Sequence, residues 1–119
     1  MNKPVRTVLL GGAKEAFEKL NILVGQQIAE GKTNSDEIQL MNSIKQKVEL
    51  IKQNPFYGDN IKKGQIPTNF EVENLWRVEL SQFWRMLYTI KGDNVEIICF
   101  ILHIIDHPTY DKILGYRKK

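Results

Sequence analysis

Four side chains in the second half of the chain belong to types that do chemistry on anions: Arg77, Arg85, His107 and Tyr110. A guanidinium presents a planar fork of N–H donors that matches a carboxylate or a phosphate at two points. An imidazole exchanges a proton near neutral pH, and a phenol offers a ring and a hydroxyl proton. Such groups act together only if the backbone brings them to one place, so the elements that carry them come next.

Side chains alternate between the two faces of a strand. Leu75–Leu80 and Trp84–Ile90 both alternate. On the first, Trp76, Val78 and Leu80 point one way and Arg77 and Glu79 the other. On the second, Trp84, Met86, Tyr88 and Ile90 oppose Arg85, Leu87 and Thr89. A turn at Ser81-Gln82-Phe83 sets Leu80 against Trp84, so the apolar sets coincide and Glu79 faces Arg85. Trp76, Trp84 and Tyr88 then belong to the core, and the open sheet face carries both arginines. The same residues also describe a solvated face with a cross-strand Glu79–Arg85 ion pair, which contributes little at a surface.

The remaining elements supply the support. Val5–Leu10 reads as a strand ended by Gly11-Gly12. Ala13, Ala16, Phe17, Leu20, Leu23, Val24 and Ile28 recur at helical spacing, and Gly31 terminates that helix. Asn34 is the expected N-cap of a second helix, with Glu37 completing a capping box. Ile38, Met41, Ile44, Val48 and Ile51 form its stripe, and Asn54-Pro55 stops it. The two helices form an antiparallel hairpin. Residues 56–67 read as a loop with one short edge strand. Val95–Ile105, apolar on both faces, reads as a strand buried on both sides, reached through a turn at Lys91-Gly92-Asp93-Asn94. The expected fold is α+β: an N-terminal strand, the helical hairpin, a three-strand antiparallel meander and a short C-terminal tail, in one domain over residues 1–119.

The 119 residues, 42% hydrophobic and 26% charged, suffice for one core without staples. The single cysteine, Cys99, can form neither an internal disulfide nor a zinc cluster, and a reducing cytoplasm fits. The charge of +3 permits an anionic partner without demanding one. Its distribution is more informative, with Lys62, Lys63 and the tail residues Arg117, Lys118 and Lys119 adding to the arginines. No signal peptide is visible, and the apolar run at 95–105 is too short to span a membrane. His103 reads as a buried, hydrogen-bonded histidine. With His107 it offers only two nitrogen ligands, so no metal and no cofactor are expected.

The order of elements, together with Asn74-Leu75-Trp76-Arg77-Val78-Glu79-Leu80, Phe83-Trp84-Arg85-Met86-Leu87-Tyr88-Thr89-Ile90 and the ending Asp106-His107-Pro108-Thr109-Tyr110, resembles the RelE/ParE superfamily of toxins from toxin–antitoxin pairs, nearest in pattern to RelE-like members. The resemblance covers nearly the whole chain. It implies a ribosome-dependent, metal-independent endonuclease that cuts mRNA in the decoding site with the RNA's own 2′-hydroxyl as nucleophile. By the same resemblance Arg77, Arg85, His107 and Tyr110 are the catalytic candidates. Lys62, Lys63, Arg117, Lys118 and Lys119 contact RNA, an antitoxin protein is the partner, and operator DNA is met only through it. Glu79 stands where some active relatives place a second basic residue, and the last strand lacks the arginine that some RelE toxins have. Two other readings follow from the family: a ParE-like DNA gyrase inhibitor that is no enzyme, and an inactive relative serving as a regulatory binding module.

Overall fold

The computed structural model describes residues 3–114. Arg117, Lys118 and Lys119 lie outside the described residues. The chain runs β1 (Val5–Leu9), α1 (Gly11–Ala29), α2 (Asp36–Gln53), β2 (Asp59–Asn60), β3 (Trp76–Glu79), β4 (Arg85–Gly92), β5 (Ile97–Ile105) and α3 (His107–Ile113). The sheet order is β1-β5-β4-β3-β2. The antiparallel meander of β3, β4 and β5 is present, with β1 added in parallel on β5 and the two-residue β2 on the edge of β3. The sheet is therefore five-stranded, and the expected short tail begins with a helix.

The register between β3 and β4 follows from side-chain alternation: Glu79 pairs with Arg85, and Leu80 donates its N–H to the Trp84 carbonyl at 2.8 Å. Val78, Leu80, Met86, Tyr88, Cys99, Ile101 and Ile104 meet Ala13, Leu40, Ile44 and Ile51 of the helices in the main core, with Trp76 and Trp84 packed at its border. The helices run antiparallel: Gln27 near the end of α1 bonds Glu37 in the first turn of α2, while Phe17 and Leu20 pack near Met41. The outer half of α1 packs on α2 rather than on the sheet, so Leu23 and Ile28, expected in the stripe, are exposed and Gln27 takes a buried place. Ser35, not Asn34, caps α2. Its hydroxyl accepts from the Ile38 N–H and is itself engaged by the Gln27 side chain, which leaves Glu37 to bond Gln27 instead of closing a capping box.

The opposite sheet face is not open. Ile61, Leu75, Leu87 and Tyr110 form a second buried cluster, flanked by Ile66, Phe70, Val72, Leu102, Ile105 and Leu114. The connection before β3 and α3 thus cover much of the surface that alternation alone leaves bare. Thr89, expected on that bare face, is buried, and its hydroxyl donates to the Asn74 carbonyl at 2.7 Å. The Asn74 side chain also accepts from the Ile90 N–H and the Trp76 indole, and so pins the start of β3 to β4. Lys91 and Gly92 belong to β4, and the turn starts at Asp93, whose carboxylate accepts from the N–H groups of Val95 and Glu96.

One irregularity sets the position of the C-terminal segment. Leu87 pairs with His103 but Tyr88 pairs with Ile101, so Leu102 is an extra residue in β5. The bulge reverses the alternation beyond it. Ile104 returns to the helix side, and His103 shares the Leu87 side, where its ring tilts against Phe70 at 5.1 Å. His103 is half-buried, with no hydrogen bond to its ring among the described residues, and burial holds it below the usual histidine range.

The Tyr88 hydroxyl donates to the Pro55 carbonyl at 2.7 Å and accepts from the Gly58 N–H at 3.0 Å. Burial pushes Tyr88 up to about 12 from 10.0, and Cys99 up to about 11 from 9.0. Above these unfolded values the unfolded chain loses protons that the folded chain keeps, so stability falls as pH rises. Tyr88 is expected to contribute a loss of about 2–3 kcal/mol between pH 10 and 12, with Cys99 adding its part from pH 9. Urea unfolding across that window measures it, and Tyr88→Phe should flatten the alkaline slope without abolishing it. Gly58 sits at the same junction. A Cβ there would lie 2.8 Å from the Arg77 carbonyl oxygen and 3.0 Å from the Tyr88 hydroxyl. Gly58→Ala is expected to destabilise the fold by about 1–3 kcal/mol in denaturant titration, because rigid backbone stands in the way.

Candidate functional site

Arg77 and Arg85 leave the sheet on the α3 side and meet at Tyr110. The Arg77 Nη1 donates to the Tyr110 hydroxyl at 3.1 Å, and its Nη2 pairs with Asp59 at 3.0 Å. The guanidinium carbons of Arg77 and Arg85 stand 5.8 and 5.6 Å from the centre of the Tyr110 ring, within cation–π reach. Arg85 is the better enclosed, its side chain only 12% exposed. Its Nη1 donates to the Phe83 carbonyl at 3.0 Å and, longer, to that of Trp84 at 3.4 Å. Its Nη2 lies 3.4 Å from the His107 Nδ1. The four candidates Arg77, Arg85, His107 and Tyr110 are thus neighbours in one place.

The local sequence explains why α3 presents His107 there. Arg85 pairs with Ile105 across β4 and β5. Asp106 follows and caps α3, its carboxylate accepting from the Thr109 N–H at 3.0 Å, and Pro108 sits in the first turn where its missing N–H costs nothing. The hydrogen bonds with Thr109 hold the Asp106 carboxyl below its usual range. His107 therefore opens the helix two residues past Ile105, and Tyr110 one turn later points into the second cluster.

A guanidinium has only donors, so a neutral His107 ring that bonds Arg85 accepts through Nδ1 and carries its proton on Nε2. That nitrogen faces the Asp111 carboxylate at 3.4 Å. The imidazole is held between a cation and an anion with its Nδ1 lone pair on the arginine side. Half of the His107 side chain is open to solvent.

Burial pulls the Arg77 guanidinium down, but the hydrogen bonds it donates to Tyr110 and Asp59 outweigh it and hold it above its ordinary value. Among the described residues the Nε atoms of Arg77 and Arg85 are buried without partners. Buried donors without partners cost stability. Glu79, 66% exposed, reaches Arg85 only at 3.9 Å.

Two members of the cluster escape a reading of residue types. Asp111 lies four residues after His107, a spacing that faces it across one helical turn once 107–113 is known to be a helix. The signals were an aspartate followed two residues later by proline. Asp59 comes from the short edge strand, and its pairing with Arg77 depends on β2 joining β3. Tyr110 is nearly buried, so its ring is no free stacking surface for a base; it supports the guanidinium groups instead. Lys62 and Lys63 are exposed on the connection before β3. No cluster of three or more metal-ligating side chains occurs among the described residues, and no described helix is long and apolar enough to cross a membrane.

The fold is that of a known class of structures, the YoeB/ParE toxin fold. In particular it is similar to the solved structure of the YoeB/ParE toxin from Agrobacterium tumefaciens, with a TM-score of 0.58 and 12% identity over 86% of this chain and 98% of that one. No protein-family model and no curated protein matches the sequence.

Proposed function

We propose that the protein is the toxin of a toxin–antitoxin pair and acts as a ribosome-dependent mRNA endonuclease that needs no metal. The observation that supports it best is the meeting of Arg77, Arg85 and His107 around Tyr110. In this reading the RNA 2′-hydroxyl attacks the adjacent phosphorus as the bond from phosphorus to the 5′ oxygen breaks, leaving a 2′,3′-cyclic phosphate and a free 5′-hydroxyl. His107 takes the 2′ proton as general base, its Nδ1 lone pair passing from Arg85 to the 2′-hydroxyl as the phosphate takes over that Arg85 donor. Arg85 and Arg77 hold the charge that builds on the phosphate oxygens, where enclosed donors are most effective. The 5′ oxygen takes its proton from a water on the exposed side of His107, and the imidazolium formed in the first transfer neutralises the hydroxide left behind, returning the ring to its starting state. Asp111 keeps the ring in the tautomer this needs, and Tyr110 positions both guanidinium groups. Lys62 and Lys63, with Arg117, Lys118 and Lys119, supply further contacts to RNA backbone.

The test is incubation with translating ribosomes and mapping of mRNA 5′ ends, with Arg85→Ala and His107→Ala beside the parent. New 5′-hydroxyl ends in the parent, lost in both variants and unaffected by a chelator, support the reading. Growth arrest with intact mRNA and blocked supercoiling would instead make the chain a gyrase inhibitor.

A further inference from the structure

The turn between β3 and β4 is strained in an informative way. Gln82 and Phe83 have φ of 59° and 62°, and the Trp84 N–H donates back to the Ser81 carbonyl at 3.2 Å. This is a tight hairpin turn of the kind that requires left-handed backbone at both central residues and normally selects asparagine and glycine. A glutamine followed by a phenylalanine is a costly pair for those positions, because each Cβ crowds a carbonyl. An Asn-Gly pair would give the same hairpin without the strain. Strain of this kind persists where the surroundings over-determine it, and it marks functional segments.

The surroundings do over-determine it. Leu80 and Trp84 close the hairpin at 2.8 Å, Ser81 N–H donates to the Ser43 hydroxyl at 3.2 Å, and the Gln82 amide donates to Gln39 at 3.2 Å. Arg85 holds the Phe83 carbonyl at 3.0 Å. The backbone of the turn is tied to α2 on one side and to the guanidinium of the site on the other, yet the Phe83 ring is 77% exposed, the most exposed of the large apolar side chains among the described residues. A lone exposed apolar residue is ordinary. An exposed aromatic on a strained turn whose backbone is tied down on both sides, beside an enclosed arginine, is not.

We infer that Phe83 is a stacking platform for an unpaired nucleobase adjacent to the phosphate held at Arg85, which makes it a specificity-determining residue of the RNA site; the inference rests on the RNA-cleaving reading above. Single-stranded RNA is recognised by splayed bases laid on aromatic rings. A ring whose backbone is already fixed loses little freedom when a base covers it. The buried Tyr110 ring leaves that role to another aromatic, and Phe83 is attached to the guanidinium that would grip the phosphate.

The full chain is assayed on translating ribosomes as parent, Phe83→Ala, Phe83→Trp, Phe83→Gly and Arg85→Ala, with KM and kcat measured separately, cut sites mapped and Tm recorded. The expected result is a KM raised roughly tenfold in Phe83→Ala and Phe83→Gly, with kcat little changed, a shifted choice of cut site, and near-parental behaviour in Phe83→Trp. Phe83→Gly should at the same time raise Tm by about 2–6 °C, because glycine removes the left-handed strain. Weaker cutting in a more stable protein excludes misfolding as the cause. Parental KM and cut sites in Phe83→Ala and Phe83→Gly, with Arg85→Ala inactive, overturn the inference and leave the nuclease reading intact. Normal cutting with loss of a protein partner also overturns it and assigns the ring to that partner. A parent that cuts no mRNA overturns both.

Discussion

Arg85→Ala is expected to lower mRNA cleavage by about 10²–10³-fold, the scale on which a single enclosed donor to a developing charge acts. Arg85 is the least exposed charge of the site, anchored through Nη1 to the Phe83 carbonyl and set against the His107 ring through Nη2. Its position is fixed before any ligand arrives, so its field needs no rearrangement when phosphate charge builds. Arg85→Lys is expected to recover less than about a tenth of the activity, because an ammonium is a point charge and cannot hold the turn and grip a phosphate with separate arms of one plane. The loss should fall on kcat more than on KM, since the donor acts most strongly on the charge of the transition state. Circular dichroism and urea unfolding of both variants establish that they fold. A folded Arg85→Ala protein cutting at more than about a third of the parental rate would remove the case for a phosphate-binding arginine at this position.

Tyr110 separates two functions that one side chain performs. Its ring belongs to the second core cluster with Ile61, Leu75 and Leu87. Its hydroxyl meets Arg77, and both guanidinium groups approach the ring. Tyr110→Ala is expected to cost about 3–5 kcal/mol of stability, the range for removing a buried aromatic. With it goes the docking of α3 and hence the placement of His107. Tyr110→Phe keeps the ring and removes one hydrogen bond, so stability should fall by only about 1 kcal/mol. Its cleavage should drop about tenfold, matching the loss of one oriented contact to Arg77. Chemical denaturation and end-mapping on the two variants read these effects side by side. Equal stabilities for Tyr110→Ala and Tyr110→Phe would contradict the buried cluster, and equal activities would contradict the positioning role.

The same comparison of ring and hydroxyl shows where reading from residues succeeded. The pairing of Glu79 with Arg85 and the core side of Trp76, Val78, Leu80, Met86 and Tyr88 follow from the period of two along β3 and β4 and a three-residue turn. Those are local properties. They placed Arg77 and Arg85 on one face, and residue type then indicated what such a pair can hold. The cap of α2 moved by one residue because Ser35, and not Asn34, has Gln27 of the preceding helix beside it, a contact that no local pattern contains.

By itself the sequence determined the strands of the meander, the paired helices and the face that carries the arginines, because hydrophobic alternation and helical spacing are written into neighbouring residues. The tertiary structure alone decided that this face is half covered, that Tyr110 lies inside it and that His107 reaches Arg85. Each of these depends on contacts between segments far apart in the chain: β1 pairing with β5, α3 and residues 61–75 closing over Leu87, and the extra residue at Leu102. A single bulge reverses every side chain beyond it, and whether it forms is settled by the packing on both sides of the sheet rather than by the residues of the strand.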